Sequence, residues 1–200
     1  MIKGFYFITD GRLSVSGNLS DIRNAVSAGV KIIQYRRTIE TARQAFEECR
    51  IIRRLCKDAL FIVNNRIDIA VSVCADGVHL GPNDLPVSAV RKLLGKNKLI
   101  GVSTNSLKEA QEAYNSGSDY ISIGPIFPTK TKSDARTPVG PKLISEIKRH
   151  IPIPVVAIGG INISNAPYVV KAGADSLCAI SDVVTRKNVK ESIEKFQELF

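Results

Sequence analysis

The chain has no tryptophan, one methionine and only 6% aromatic residues, so its net charge of +9 lacks the stacking platforms that single-stranded nucleic-acid binders interleave with their basic residues. Acidic residues are the scarcer sign, 19 against 28 Lys plus Arg, and small anions rather than nucleic acid are the expected partners. Cysteine is sparse too. Cys49, Cys56, Cys74 and Cys178 include no C-x-x-C pair and no zinc-ligand spacing, which reads as free, buried thiols in a reducing cytoplasm. No apolar run approaches the ~18 residues of a membrane span, and Met1 to Thr9 lacks the apolar core of a signal peptide.

What is present suits one globular domain spanning residues 1–200, with 44% hydrophobic and 24% charged residues. Much of the basic excess falls at helical spacing, as in Arg43, Arg50, Arg54 and Lys57 around Glu47 and Glu48, and reads as solvated helix faces. A second basic stretch, Arg91, Lys92, Lys96 and Lys98, surrounds Gly95 near another helix end.

One phrase recurs. Ser27-Ala28-Gly29-Val30, Cys74-Ala75-Asp76-Gly77, Ser116-Gly117-Ser118-Asp119 and Ala172-Gly173-Ala174-Asp175 each lead into a short apolar run, as a helix C-cap leads into the next strand. Strands are expected at Gly4 to Thr9, Val30 to Tyr35, Leu60 to Val63, Gly77 to Leu80, Leu99 to Ser103, Tyr120 to Gly124, Pro154 to Ile158 and Ser176 to Ile180. Helices are expected to start near Ser20, Thr41, Arg66, Pro86, Ser106, Gly140, Asn165 and Val189, with Ser106 and Glu109 as a capping box and Pro86 as a first-turn proline. Eight βα pairs predict an α/β fold, a compact (β/α)8 barrel. The competing fold is a doubly wound open sheet, which the lack of G-x-G-x-x-G after the first strand disfavours.

Barrel chemistry sits at the C-terminal strand ends, which directs attention to the polar residues there. Thr129, Lys130, Thr131 and Lys132 put two hydroxyls and two ammonium groups in one loop, a phosphate-binding set or a solvated charged loop. Gly159 and Gly160 after strand seven, and Ser181 after strand eight, fall where barrels bind phosphate, although a glycine pair also makes a tight turn. Gln34 and Arg36 share a strand face, and no carboxylate partner for a buried Arg36 is evident. Asp84 could bind Mg2+ or cap the helix opening at Pro86. His79 suits acid/base chemistry or strand packing, whereas His150 at a helix end suits solvent.

Phe7-Ile8-Thr9-Asp10, Gln34-Tyr35-Arg36, Val63-Asn64-Asn65-Arg66-Ile67-Asp68, Ala75-Asp76-Gly77-Val78-His79-Leu80-Gly81, Gly101-Val102-Ser103-Thr104, the Gly124-to-Lys132 loop and Ala157-Ile158-Gly159-Gly160-Ile161 occur in that order along the chain. Together they resemble the thiamine phosphate synthase family. The resemblance implies a transferase that joins hydroxymethylpyrimidine diphosphate to a thiazole phosphate, with pyrophosphate leaving before the thiazole nitrogen attacks. It implies that Gln34, Arg36, Asn64, Ser103 and Lys132 hold the pyrimidine diphosphate, with Arg36, Ser103 and Lys132 catalytic. Thr129, Thr131, Gly160, Ile180 and Ser181 would hold the thiazole phosphate. Mg2+ would sit on Asp84 with Asn65, the partners would be these small phosphorylated substrates, and a homo-oligomer is compatible with the resemblance.

Three positions depart from the family pattern. Thr38 stands where the Gln-x-Arg-x-Lys motif has lysine, Asn65 where an Asn-Asp pair supplies a metal-binding aspartate, and Asn105 where many relatives carry histidine. They leave open a diverged paralogue, either an isomerase like the related thiazole tautomerases or a non-catalytic binder of thiamine precursors. Asn105 cannot do a tautomerase histidine's acid/base work, which weakens the isomerase alternative.

Overall fold

In the computed structural model, which describes residues 2–131 and 136–200, eight parallel strands pair in chain order and close on themselves. They are β1 (Gly4–Ile8), β2 (Ile32–Tyr35), β3 (Leu60–Asn64), β4 (Gly77–Leu80), β5 (Leu99–Thr104), β6 (Tyr120–Ile123), β7 (Val155–Ile158) and β8 (Ser176–Cys178). Pairing of Gly4 with Ser176 and Phe5 with Leu177 joins β1 to β8, which rules out the open sheet. The outer layer is α1 (Asn18–Ser27), α2 (Ala42–Leu55), α3 (Ile67–Ser72), α4 (Val87–Leu94), α5 (Leu107–Asn115), α6 (Lys142–His150), α7 (Ala166–Lys171), α8 (Ile180–Val184) and α9 (Val189–Gln197).

Strand alternation separates two cores. Phe5, Phe7, Ile33, Phe61, Val63, Ile100, Ile121 and Val155 point outward into the layer shared with the helices. Tyr6, Ile8, Ile32, Ile62, Tyr120, Val156 and Cys178 point inward and fill the barrel. Gly101 makes room for this inner packing. It pairs with Tyr120 across β5 and β6, and a methyl group there would run into the Tyr120 ring. Gly101→Ala is therefore expected to destabilise the fold by about 3 kcal/mol through overpacking, measured by urea unfolding.

The recurring helix-to-strand phrase has a structural reason. Asp76, Asp119 and Asp175 each accept the N–H of a residue near the start of the preceding odd-numbered strand: Phe61 at 2.8 Å, Ile100 at 2.7 Å and Val155 at 2.8 Å. Each also pairs with a cation of the helix just before that strand: Arg53 of α2 at 2.5 Å, Arg91 of α4 at 2.5 Å and Lys148 of α6 at 2.7 Å. One carboxylate thus satisfies a strand-end donor and fastens a helix to the barrel floor.

Several local expectations are corrected. Ile180 opens α8 instead of ending β8, because the apolar run continues at helical spacing and buries Val183 and Val184. Pro86 occupies the N-cap position of α4, one residue before the helix. Ser106 does accept the Glu109 N–H at 3.1 Å, but the Glu109 carboxylate bonds the Asn105 N–H at 2.7 Å, so the box is only half formed. Thr41 and Gln44 make the complete box at α2. Cys74 is exposed, at a left-handed φ of 54° in the turn after α3; the other three cysteines are buried. Burial raises the Cys49 thiol to about 12 and Cys56 to about 11, so neither is a ready nucleophile. Arg43, Arg50 and Arg54 lie exposed on α2, and Lys57 is exposed just beyond its end. Among the described residues no helix is long and apolar enough to cross a membrane.

Candidate active site

The first two strands end in a buried ion pair. Asp10 is fully buried and its Oδ2 accepts from the Arg36 guanidinium, while its Oδ1 accepts the Arg12 N–H at 3.1 Å. This is the carboxylate partner that was not evident for Arg36, 26 residues upstream of it. Thr9 Oγ1 accepts the Arg36 N–H at 2.9 Å and fixes the backbone there. Arg36 borders the central cavity, and among the described residues its buried Nε has no partner. A buried guanidinium nitrogen left open beside a cavity is a donor waiting for an anion.

Six inward side chains from six strands bond in sequence across the barrel. Asn64 Nδ2 donates to Gln34 Oε1 at 2.9 Å, and Gln34 Nε2 donates to the Tyr6 hydroxyl at 2.8 Å. The Tyr6 and Tyr120 hydroxyls are 2.9 Å apart, Tyr120 meets His79 Nδ1 at 3.0 Å, and His79 Nε2 meets Ser103 Oγ at 2.9 Å. Burial pushes both phenols far above their ordinary range, so they stay protonated. His79 packs its ring against Tyr120 inside the barrel, as the strand-packing reading has it, and also presents a polar edge to the cavity.

After β6 the chain enters its long loop through a cis Gly124–Pro125 bond. Ile126 and Phe127 donate to the Ile158 and Gly159 carbonyls at 2.9 and 3.0 Å, extending the β7 pairing into the loop. Thr131 N–H donates to Thr129 Oγ1 at 3.2 Å, and Arg12 reaches the Thr131 carbonyl at 3.5 Å. Arg136 fastens the far end of the loop to Glu109 and holds that carboxyl below its usual range. Asn105 Nδ2 donates to the Gly124 carbonyl at 2.9 Å and the Thr137 carbonyl at 3.3 Å. Asn105 is a clamp on the loop, and the tautomerase alternative has no acid/base group at this place.

Asn65 sits at a left-handed φ of 61°, which asparagine tolerates better than most residues. Turned so that its nitrogen faces them, its amide donates to Asp84 Oδ2 at 3.0 Å and the His79 carbonyl at 3.1 Å. Asp84 Oδ2 also accepts the Gly81 N–H at 2.6 Å. Asp84 makes no helix cap, since α4 has no side-chain cap bond; it closes its own turn instead. With the amide turned the other way, oxygens of Asn65, Asp84 and His79 would face one another, a donor set that fits a hard cation. Among the described residues no three His, Cys, Asp or Glu side chains group around a metal position, so such a cation would complete its shell from substrate and water.

The cavity gathers Gln34, Arg36, Asn64, Ser103, Thr129, Thr131, Gly160, Ile180 and Ser181. Asp84 and Asn65 lie outside its lining, at the β3 and β4 ends, and Lys132 lies outside the described residues. Tyr6, Cys178 and Arg136 also line it and were not anticipated; Tyr120 stands behind Tyr6 and His79. Burial holds Cys178 as a neutral thiol.

Comparison with known proteins accords with this geometry. Residues 5–183 match the family described as thiamine monophosphate synthase. A thiamine-phosphate synthase of Methanosarcina barkeri is 49% identical over 196 residues, 98% of this chain and 89% of the relative. One from Methanospirillum hungatei is 44% identical over 199 residues, 98% of this chain and 97% of the relative. The solved structure of a thiamine phosphate pyrophosphorylase from Pyrococcus furiosus superposes with a TM-score of 0.90 at 39% identity, covering 98% of this chain and 94% of that one. The chain belongs to the thiamine monophosphate synthase family.

Proposed function

We propose that this protein, as a single barrel domain of residues 1–200, is a thiamine phosphate synthase. It condenses hydroxymethylpyrimidine diphosphate with thiazole phosphate and releases pyrophosphate. The observation that carries the reading is the open, buried Nε of Arg36 at a cavity shared with Ser103, Thr129, Thr131 and Gly160. That arrangement is built to hold phosphate groups, and its one thiol is held neutral.

In this reading Arg36, Ser103, Gln34, Asn64 and Lys132 receive the pyrimidine diphosphate, and Thr129, Thr131, Gly160, Ile180 and Ser181 receive the thiazole phosphate. The C–O bond to the methylene breaks with its electron pair going to pyrophosphate, and the thiazole nitrogen lone pair then forms the new C–N bond. Arg36 stabilises the charge that develops on the departing oxygens. Asp84 and Asn65 would hold Mg2+, which when bound neutralises diphosphate charge. Phosphorylated substrates and free cysteines are in keeping with the cytoplasm.

Purified protein supplied with both substrates and Mg2+ should yield thiamine phosphate and pyrophosphate in equal amounts. No product at any Mg2+ concentration would overturn the assignment. Asn65→Asp adds a second carboxylate beside Asp84 and should lower the Mg2+ concentration for half-maximal rate about tenfold. Thr38→Lys is a poorer repair of the family pattern. The Thr38 N–H already bonds the Glu40 carboxylate at 2.8 Å, and a lysine there would meet that carboxylate before any substrate.

A further inference from the structure

The amides of Asn64 and Gln34 fix the direction in which the six-residue chain across the barrel runs. Gln34 Nε2 donates to the Tyr6 hydroxyl at 2.8 Å, so Tyr6 accepts one bond and has one proton to give. Among the described residues its other partner is the Tyr120 hydroxyl at 2.9 Å, so Tyr6 donates to Tyr120. Tyr120 then gives its own proton to His79 Nδ1 at 3.0 Å. With Nδ1 accepting, the ring proton sits on Nε2 and is donated to Ser103 Oγ at 2.9 Å. The Ser103 hydroxyl proton is left to point into the cavity that Ser103 lines.

We propose that Tyr6, Tyr120 and His79 are positioning residues that hold Ser103 as a one-way hydrogen-bond donor to the pyrimidine diphosphate, so that the ligand atom facing Ser103 is an acceptor. The identity of that ligand rests on the proposed function; the direction of the chain does not. Run the other way, with both amides turned over, the same distances would make Ser103 donate to His79 and face the ligand with lone pairs, repelling a diphosphate oxygen. Bonds aligned head to tail in a dry interior also polarise one another, which strengthens the last donor. The chain explains why two tyrosines stand in the barrel interior beside Ile8, Ile32, Ile62 and Val156.

The test is the tautomer of His79 in ligand-free protein, read by long-range 1H–15N correlation on ring-labelled histidine. The chain has two histidines, and the exposed His150 serves as internal reference. The expected result is a proton on Nε2 with Nδ1 bare; a proton on Nδ1, or a mixture of tautomers, would overturn the proposal. Tyr120→Phe removes the donor to Nδ1 and should mix the tautomers while lowering kcat/KM about tenfold, the worth of one well-placed hydrogen bond. Adding Tyr6→Phe to that variant should lower the rate no further, because the chain is already cut downstream. An unmoved tautomer in Tyr120→Phe, or fully additive losses, would sink the idea. Should Tyr120→Phe fail to fold, the wild-type spectrum decides alone. An Nε2-protonated His79 in a protein that makes no thiamine phosphate would keep the chain's direction and remove only the ligand assignment.

Discussion

Arg36→Met is expected to lose about 3–5 kcal/mol of stability and to lower kcat/KM by roughly a hundred- to a thousandfold. The two losses have separate origins. Stability falls because Asp10, fully buried, is left as a charge whose closest side-chain partner has gone. What remains is Arg12, through its backbone N–H at 3.1 Å and its half-exposed Nε at 3.9 Å, and neither replaces the buried Arg36 guanidinium. The rate falls because the open Nε and the remaining nitrogens of Arg36 no longer meet the diphosphate. Adding Asp10→Asn removes the stranded charge, so the double variant should regain most of the stability and none of the rate. Urea unfolding and steady-state kinetics on the two variants check this. A double variant no more stable than Arg36→Met would show that the pair is not what Arg36 contributes to the fold.

The same pair shows where sequence reading stops. Arg36 was legible as an anion binder because alternation puts it on the Gln34 face of β2. Its partner was not, because Asp10 follows β1, 26 residues upstream, and only the pairing of β1 with β2 brings the two together. Tyr6 and Tyr120 went unread for the same reason: they are 114 residues apart and meet across the barrel interior. The one local hint was Gly101, a glycine inside a strand, which is what a neighbouring ring demands. The barrel itself was plain, because the phrase ending in Asp76, Asp119 and Asp175 does the same structural job three times. Asn105 and Asn65 were read as departures from a pattern, but what each one holds in place needed coordinates.

Gly160→Ala should raise KM for thiazole phosphate and lower kcat/KM about a hundredfold, with much less effect on the pyrimidine diphosphate. Gly160 has φ 65°, and an added Cβ would lie 2.7 Å from the Phe127 carbonyl oxygen and closer still to that of Pro128. Both obstacles are backbone, so no side-chain rotation relieves them and the β6 loop has to move. That loop carries Thr129 and Thr131, whereas Gln34, Asn64 and Ser103 stand on β2, β3 and β5 and keep their places. Gly173 provides the control. It has a similar backbone, φ 95°, but the nearest atom to an added Cβ is Lys148 Cγ at 3.8 Å, ordinary contact. Gly173→Ala should therefore cost only about 1–2 kcal/mol of backbone strain and leave both KM values alone. Kinetic constants for the two alanine variants decide the matter: if they coincide, the glycine pair is only a tight turn, and the loop does not depend on it for its position over the site.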